Sequence, residues 1–523
     1  MKNLTLGLAF VFLFSGPELT QAQSKSKKSE KPTVAVPLSA EKIEAKIDSL
    51  LKIMTIEEKV GQLNLLTSDL DQTGAHIRPQ YKQDIMKGKV GAIFNAYGTD
   101  YVRKLQKMAV EETRLKIPLL FGYDVIHGHR TIFPIPLAES CSWDLDRIEK
   151  ASRIAALEAS SMGLDWTFAP MVDVARDPRW GRVMEGSGED THLGSLIGKA
   201  RVRGFQGNGV SNPQNLMACT KHYAAYGAAQ GGRDYHTVDI SERTLRETYL
   251  PPFKTTVDAG VATFMTSFNE LNGIPATANK MLLDQILRKE WKYTGFVVTD
   301  YTAIWELLFH GYAADSAEAA LKSIMAGADM DMQASLYDLF LPNLVKTGKV
   351  PVAVVDESVR RILRKKYELG LFQNPYLRCD AAREKATVYA PEHLKASREM
   401  AARSMVLLKN QSNALPIKSG KKIALIGPLA DAGREMMGAW CAAGEWERNV
   451  SLLKALKESA WGSQVVYKKG CEVTDTSRAG FKEAVSACQS ADVVVLAMGE
   501  AAWQSGEASS RADIRLPGVQ EEL

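Results

Sequence analysis

GFVVTDYTAIWEL, residues 295–307, joins a short apolar strand pattern to a helical pattern, and Asp300 stands at the junction. The same unit recurs along the chain. Further buried-strand patterns lie at 90–97, 118–124, 165–173, 216–223, 261–269 and 326–332, and helical patterns such as 143–162 and 241–257 separate most of them. Repeated strand–helix units predict parallel strands with right-handed crossovers. Seven or so strands predict an α/β fold of the (β/α)₈ barrel type with one weak or irregular strand, and a doubly wound sheet is the competing architecture.

Polar residues cluster at the carboxyl ends of these predicted strands. They are Asp124, Asp173, Lys221, His222, Asn269, Asp300, Asp329 and Asp331. Barrel enzymes carry their active sites on that face, whereas purely structural charges would be scattered over both ends. The sequence therefore predicts a site at the carboxyl ends of the strands.

The amino terminus has the order of a secretory signal. Lys2 precedes an apolar run at 4–14, and a Gly-Pro breaker and the small-x-small triplet 20–22 follow it. This order predicts a signal peptide at 1–22, a flexible polar linker at 23–39, and a periplasmic or secreted protein. The apolar run is short for a membrane span, so we expect no membrane insertion.

Composition describes an ordinary globular protein. The 523 residues are 45% hydrophobic and 24% charged, with a net charge of +4. These values exclude disorder over the whole chain, and they give no basic footprint for nucleic acid. Six cysteines without a CxxC pair support neither a disulfide framework nor a zinc site, and no feature indicates a cofactor or an oligomeric state.

Domain organisation follows from where the periodicity changes. We assign the barrel to 40–372, an interdomain linker to 373–399 and a second α/β domain to 400–523. In the second domain, 398–410 reads as a helix followed by a strand, and 421–431 and 491–500 read as strands. The final residues, LPGVQEEL, read as the opening turn of a helix, so we expect a truncated form of this domain.

Two segments of the barrel contain candidate functional residues for which a purely structural role is the alternative explanation. Asp300 is either a rigidly held nucleophile or the N-cap of the helix that follows its strand. Lys221 and His222 both reach a ligand only if the strand end is distorted; otherwise His222 is a satisfied core residue beside an exposed lysine.

Three loops add further candidates. In 172–190 we expect a network of ion pairs from which one arginine points at a ligand. In 121–134, Asp124 is the better ligand acceptor, because His127 and His129 lack the context of a metal site. In 499–517, Glu500 and Glu507 are either solvated or carried to the barrel mouth by a mobile loop, on which Trp503 could stack against a sugar.

Six motifs occur in one order at barrel-strand spacing: GYDVIHG, RDPRWGRVMEGSGED, TKHYAAYG, MTSFNELNG, GFVVTDY and GEASSRADIRLP. In this series the chain resembles glycoside hydrolase family 3 over residues 40 to 523, and within it the periplasmic broad-specificity β-glucosidases of bacteria. The resemblance implies a barrel followed by an α/β sandwich domain with the active site between them. It also implies an exo-acting, retaining β-glucosidase that needs no metal or cofactor and takes β-glucoside oligosaccharides or aryl glycosides.

The resemblance also implies residue roles. Asp300 matches the nucleophile and Glu507 the acid/base. The residues that hold the terminal sugar are Asp124, Arg182, Lys221 and His222, with Met265 and Tyr301 in the pocket wall; Phe268 stands where some relatives have tyrosine. Glu507 then needs a raised pKa, so we expect Arg511 to point away from it. We further expect a truncated chain to be weakly active or unstable, because the loop of Glu507 would be poorly held.

Four alternatives remain open at the level of sequence. A β-xylosidase of the same family is one, and a β-N-acetylglucosaminidase that uses Asp234 and His236 on the loop after TKHYAAYG is another. The third is a phosphorylase variant of the family. The fourth, of another class, is a non-catalytic sugar-binding protein of the cell envelope, which would bind glucosides without turnover.

Overall fold

The structure is a computed structural model that describes residues 38–71 and 78–523. The predicted signal peptide and residues 23–37 of the predicted linker lie outside the described residues.

Eight of the described strands run parallel and form a barrel. In chain order they are β1 Asn64–Thr67, β2 Ala92–Phe94, β3 Leu120–Tyr123, β4 Trp166–Thr167, β5 Cys219–Tyr223, β6 Thr263–Thr266, β7 Phe296–Val298 and β8 Asp331–Met332. One sheet has the order β8, β1, β2, β3, β4, and another has the order β5, β6, β7. Parallel bridges from Met171 to Lys221 and from Val298 to Met330 join the two sheets, so the barrel closes. The predicted (β/α)₈ barrel is confirmed, and the doubly wound alternative, which keeps two open edges, is wrong.

The strand that the sequence patterns did not reveal is β1. It pairs with β8 through Asn64 and Asp331 and with β2 through Leu65 and Ala92, and it closes the barrel. Only four residues long, it begins three residues after helix Ile56–Gly61. Its pairing partners, rather than its own pattern, make it a strand.

Aromatic side chains fill the barrel interior. The ring of Trp166 meets Phe168 at 4.8 Å and Phe296 at 5.1 Å, both edge to face. Its indole N–H donates to Thr263 Oγ1 at 2.8 Å, which satisfies the one polar group that this side chain buries. The barrel is therefore a packed core, and ligands reach only its ends.

Helices surround the barrel. The first, Ala40–Ile53, begins at Ser39, whose hydroxyl caps it, and buries Ile43, Ile47 and Leu51 on one face, as its periodicity predicts. The other helices of the barrel region are Ile56–Gly61, Tyr81–Met86, Thr99–Glu112, Pro136–Ser140, Leu145–Ser161, Thr191–Gln206, Glu242–Thr244, Pro251–Asp258, Ala303–Phe309, Ser316–Ala326, Leu336–Lys346 and Val352–Glu368, with π-helical turns at Leu245–Tyr249 and Met281–Glu290.

The second domain has a parallel three-stranded sheet in which β9 Ile423–Ile426 lies between β10 Val465–Lys468 and β11 Val493–Leu496. Two helices, Leu452–Lys457 and Phe481–Gln489, accompany it. The strands predicted at 421–431 and 491–500 are confirmed. The strand predicted after residue 404 is wrong, because within the described part of the chain residues 405–410 pair with no strand.

The segment between the two domains is largely helical. Helices Ala381–Thr387 and Pro391–Ser404 occupy most of a stretch that the sequence pattern indicated to be an irregular linker. Tyr389 N and His393 Nδ1 hydrogen-bond to Glu158 of the barrel region at 3.1 and 2.9 Å. The segment is therefore fixed to the barrel. In the described residues, no helix combines the length and the apolar character needed to cross a bilayer.

Candidate active site

The carboxyl ends of the barrel strands open on a cavity of about 410 Å³ that the second domain completes. Small-molecule sites commonly have this size. Its lining comprises Asp124, Arg182, Lys221, Tyr235, Met265, Phe268, Asp300, Tyr301, Thr302, Glu306 and Met332 from the barrel, with Trp440, Glu507 and Ala508 from the second domain. All the residues to which the family resemblance gives a role in the site line the cavity except His222.

Asp300 follows β7 and lies at the floor of the cavity. Its Oδ1 accepts a hydrogen bond from Tyr301 N at 2.7 Å, while Oδ2, buried, has no hydrogen-bond donor among the described residues. Helix Ala303–Phe309 has Thr302 at its N-cap position, so the explanation of Asp300 as the helix cap is wrong. A fixed carboxylate with one oxygen left over can meet a ligand atom.

The charge state of Asp300 depends on its surroundings. Burial raises the pKa of Asp300, and the charge of Glu507 raises it further, while Arg182 and Lys221 oppose this rise. Asp300 and Glu507 therefore favour a state in which their two carboxyl groups share one proton.

Lys221 and Asp124 form a buried ion pair in the cavity wall. Lys221 Nζ lies 3.1 Å from Asp124 Oδ1. The register of β5 against β6 shifts between Thr220 and Tyr223, so the strand end is distorted at Lys221 and His222. Burial raises the pKa of Asp124, and the neighbouring Lys221 opposes the rise.

His222 is not among the residues that line the cavity, and it lies directly behind Arg182 and Asp300. Its Nδ1 donates to Asp173 Oδ2 at 2.8 Å, and its Nε2 accepts from Arg182 Nη2 at 2.8 Å and lies 3.5 Å from Asp300 Oδ2. Burial, together with the charges of Arg182 and Lys221, lowers the pKa of His222 well below its usual range, so the ring is neutral. Both ring nitrogens are thus occupied by protein groups.

Arg182 is held from behind by a carboxylate, as predicted for one arginine of its loop. Glu185 Oε1 accepts from its Nε at 2.8 Å, and Glu185 Oε2 accepts from Nη2 at 3.1 Å. Nη1 is buried without a hydrogen-bond acceptor among the described residues and lies 4.0 Å from Glu507 Oε1. The free nitrogen faces the cavity, where a ligand oxygen would satisfy it.

Glu507 reaches the cavity from the second domain. Tyr235 donates its hydroxyl to Glu507 Oε1 at 2.7 Å. Burial raises the pKa of Glu507, and the charge of Arg182 and the hydrogen bond from Tyr235 oppose the rise. Arg511 points away from Glu507 and pairs with Glu500, as expected from the sequence.

Apolar and aromatic side chains complete the wall. Met265, Phe268 and Tyr301 lie where the sequence predicted a pocket wall. Trp503 does not stack there: its side chain is 69% exposed. The tryptophan of the wall is Trp440, whose ring centroid lies 5.2 Å from Lys221 Nζ, and nothing in the sequence of its loop indicated it.

Glu306 is a fourth carboxyl group at the cavity, beside Asp124, Asp300 and Glu507, and sequence reasoning missed it. It lies on helix Ala303–Phe309, directly after the strand of Asp300. Burial raises the pKa of Glu306 to about 8, with contributions from the charges of Asp300 and Glu507. Its position six residues after Asp300, on the helix that follows the strand, was the available signal.

The Asp234 and His236 alternative does not assemble a catalytic pair. Asp234 accepts hydrogen bonds from Trp180 Nε1 and Ala508 N, both at 2.8 Å. The side chain of His236 is exposed. This arrangement commits Asp234 to holding neighbouring loops.

His127 lies beside the loop of Trp440. Its Nδ1 and Nε2 hydrogen-bond to the carbonyl oxygens of Phe133 and Ala439, each at 2.8 Å. His127 therefore ties the second domain to the barrel next to the cavity, and neither of its nitrogens is available to a metal.

Comparison with known proteins finds relatives over most of the chain. The periplasmic beta-glucosidase of Salmonella typhimurium is 42% identical over 511 residues, which are 93% of this chain and 66% of that protein. A beta-xylosidase of Formosa agariphila is 31% identical and covers 100% of this chain and 69% of its own length. The crystal structure of beta-glucosidase from Listeria innocua in complex with isofagomine has a TM-score of 0.87 at 38% identity, over 93% of this chain and 67% of that chain. The chain spans about two thirds of the length of these relatives.

Family profiles match both parts of the chain. The profile of the glycosyl hydrolase family 3 N terminal domain matches residues 55–365, and that of the family's C-terminal domain matches residues 405–523. The order of barrel and second domain is thus that of the family, and the chain belongs to glycoside hydrolase family 3.

Proposed function

We propose that the protein is a retaining, exo-acting β-glucosidase with Asp300 as nucleophile and Glu507 as acid/base. The observation that carries the proposal is the pair of carboxyl groups from two domains that face one cavity, where burial raises the pKa of both and the charge of Glu507 raises that of Asp300 further. Retaining glycosidases use such a pair, one ionised and one protonated. The names of the relatives from Salmonella and Listeria support glucose as the terminal sugar.

In the first step, the carboxylate of Asp300 attacks the anomeric carbon. The bond from that carbon to the leaving oxygen breaks, and Glu507 delivers its proton to this oxygen. In the second step, the Glu507 carboxylate takes a proton from water, and the water oxygen displaces Asp300 from the anomeric carbon. Two inversions give net retention, and each residue ends as it began.

Binding of the sugar falls to the polar groups around the nucleophile. We assign the sugar hydroxyls to Asp124, Arg182 and Lys221, which combine donors and acceptors in one wall. Met265 and Tyr301 would contact the apolar faces of the ring. His222 would orient Arg182 rather than contact the sugar, since its nitrogens bind Arg182 and Asp173.

Location and domain organisation are part of the proposal. We assign residues 1–22 to a cleaved signal peptide and place the mature protein in the periplasm or outside the cell, which the name of the Salmonella relative supports. We place the domain boundaries at 40–372 and 400–523.

Trapping with 2-deoxy-2-fluoro-β-glucosyl fluoride tests the nucleophile. The fluorosugar forms a long-lived ester, and peptide mapping should find the label on Asp300. A label on another residue, or a product that first appears as the α-anomer, would overturn the mechanism. Binding of glucosides without any turnover would favour the non-catalytic alternative.

A second candidate is a β-xylosidase, which the relative from Formosa favours. The ratio of kcat/KM for nitrophenyl β-glucoside to that for nitrophenyl β-xyloside decides between them. A ratio above one supports the glucosidase, and a ratio below one supports the xylosidase. Release of sugar phosphate in phosphate buffer would instead indicate a phosphorylase.

A further inference from the structure

The loop that carries Glu507 is docked on the barrel through its backbone. Gly181 N donates to Ser509 O at 2.8 Å, Gly506 N donates to Gly181 O at 2.7 Å, and Arg511 N donates to Arg179 O at 2.9 Å. These bonds pair 506–511 with the barrel loop 179–181 as two short antiparallel segments. The loop, predicted from sequence to be mobile and poorly held, is fixed at both sides of Glu507.

Gly181 makes this approach possible. A Cβ atom at this position would lie 2.3 Å from the carbonyl oxygen of Ser509 and 2.6 Å from that of Gly506. Real Cβ atoms do not come that close to backbone oxygen, so any side chain at Gly181 would push the loop away.

Asp234 fixes the residues that follow Glu507. Its Oδ2 accepts from Ala508 N at 2.8 Å, and its own N–H donates to Ser510 Oγ at 3.0 Å. Ala508 has φ of 58°, a left-handed conformation that residues with a side chain rarely adopt. The Asp234 carboxylate thus holds the backbone in the bend that turns Glu507 toward the cavity, and Trp180 Nε1 in turn holds the second oxygen of that carboxylate at 2.8 Å.

Tyr235 contacts Glu507 itself. Its hydroxyl donates to Glu507 Oε1 at 2.7 Å, and its ring lies edge to face with Phe268 at 4.8 Å. Because Oε1 accepts this hydrogen bond, the proton of neutral Glu507 belongs on Oε2. Tyr235 therefore determines which oxygen can deliver a proton.

We propose that Asp234 and Tyr235 are positioning residues for Glu507: the barrel loop that bears them docks the acid/base loop of the second domain and selects the oxygen that transfers the proton. The chemistry of this inference rests on the proposed function. The inference goes beyond that function because it assigns a role to the barrel loop of Asp234 and Tyr235, which carries neither catalytic carboxylate. The docking itself is a statement about structure and can be tested without a substrate.

Leaving groups of different acidity give the kinetic test. Phenyl β-glucoside needs a proton on its leaving oxygen, so Asp234→Asn and Tyr235→Phe should lower its turnover about 10- to 100-fold, the effect of losing a hydrogen bond to a charged group. 2,4-Dinitrophenolate leaves without a proton, so its first-turnover release should change less than about 3-fold. Tyr235→Phe should also move the basic limb of the pH profile to higher pH. The hydrogen bond from Tyr235 stabilises ionised Glu507, so its loss raises the pKa of Glu507.

Tyr376→Phe is the matched control, because it removes another tyrosine–glutamate hydrogen bond, that of Tyr376 to Glu111 at 2.8 Å, on the protein surface. It should leave both substrates and the pH profile unchanged. An equal loss on both substrates in the Asp234 and Tyr235 variants, or no loss on either, would overturn the proposal.

Amide hydrogen exchange separates this inference from the proposed function. Exchange of residues 506–511 should become at least about 10-fold faster in Asp234→Asn and in Gly181→Ala, since docking hydrogen bonds are lost or stretched. Unchanged exchange would overturn the docking whatever the activity. If the wild-type protein cleaves no β-glucoside but the two variants show these exchange changes, the proposed function is overturned and the docking stands.

Discussion

Burial and neighbouring charges act on both Asp300 and Glu507, and the proposed mechanism needs these two carboxyl groups in opposite protonation states. Burial raises the pKa of both carboxyl groups, so neither is as acidic as in water. Asp300 also receives the backbone N–H of Tyr301 at 2.7 Å, which favours its ionised form. The proposed first step requires the single proton of the pair on Glu507, and the hydrogen bond from Tyr301 contributes to this by favouring ionised Asp300.

Glu306 must be distinguished from Glu507 by experiment, because both carry raised pKa values at one cavity. Glu507→Ala should lower turnover of phenyl β-glucoside by about 10²- to 10⁴-fold, the usual contribution of a general acid or base, and azide should restore turnover of dinitrophenyl β-glucoside. Glu306, with a pKa raised to about 8, is uncharged at pH 6. Glu306→Gln resembles this form and should change turnover at pH 6 less than about 3-fold. A larger loss in Glu306→Gln than in Glu507→Ala would reverse the assignment.

Lys366 gives a prediction for stability far from the cavity. Burial lowers its pKa to about 7, and its Nζ donates to Gln62 Oε1 at 2.6 Å. The unfolded chain keeps this proton up to about pH 10.4. Between these values the unfolded state binds more protons, so this lysine makes the free energy of unfolding rise with pH from about 7 to 10.

Lys366→Met should abolish that rise. The free energies of unfolding of variant and wild type are measured with urea at pH 7 and pH 9.5. The difference between them should favour the variant more at pH 7 than at pH 9.5, by a few kcal/mol. Lys365→Met, next to it on the same helix, should differ little between the two pH values. The same slope in wild type and Lys366→Met would contradict the prediction.

At the scale of elements, local pattern predicted those strands that combine an apolar run with a polar carboxyl end. The strand of GFVVTD is an example: it became β7 with Asp300 beyond its end. β1 was not predicted, because four residues without alternation form a strand only when they pair with β8 and β2. The pattern at 405–410 failed for the reverse reason, since a strand needs a neighbour to pair with.

The candidate site was predictable to the extent that its residues lie in motifs at strand ends. Asp124, Lys221 and Asp300 each follow or end an apolar run, and the barrel topology then brings them together. Tyr235 and Trp440 come from loops, and contacts with residues far along the chain place them at the cavity: Tyr235 contacts Glu507, and His127 holds Ala439 next to Trp440. No periodicity in one segment encodes that approach.

Glu158 joins three elements and carries a prediction at this scale. It accepts hydrogen bonds from Thr131 N at 2.7 Å, Tyr389 N at 3.1 Å and His393 Nδ1 at 2.9 Å. Burial alone would raise its pKa, but the hydrogen bonds from His393 and Thr131 outweigh burial and lower it. A carboxylate with a lowered pKa stabilises the fold above its unfolded pKa, about 4.3, and this contribution is lost as the pH falls through the folded value.

Glu158→Gln should therefore destabilise the protein by about 2–4 kcal/mol at pH 7, because it leaves buried donors without their charged acceptor. The difference from wild type, measured by urea unfolding, should shrink below about pH 4. Glu149→Gln on the same helix should change little at either pH. A destabilisation by Glu158→Gln that is independent of pH would show that its charge is not what joins the elements.

At the scale of the whole molecule, the cavity exists because two domains meet. Asp300 and the sugar-binding candidates belong to the barrel, whereas Glu507 and Trp440 belong to the second domain. Arg130 is one of the residues that hold the domains together: its Nη1 donates to Ala443 O at 2.7 Å, and its Nη2 lies 3.0 Å from a carboxylate oxygen of Glu445. Both contacts lie on the loop that carries Trp440.

Arg130→Gln should therefore act on binding more than on chemistry. Loss of the contacts frees the Trp440 loop, so KM for phenyl β-glucoside should rise about 3- to 10-fold, the effect of roughly 1 kcal/mol, while kcat falls less than about 2-fold. Arg478→Gln is the control, because it breaks an ion pair within the second domain, that of Arg478 with Glu522 at 2.7 Å. Its kinetics should equal those of wild type. If Arg130→Gln instead lowers kcat and leaves KM unchanged, the interdomain contact positions Glu507 rather than the wall of the cavity.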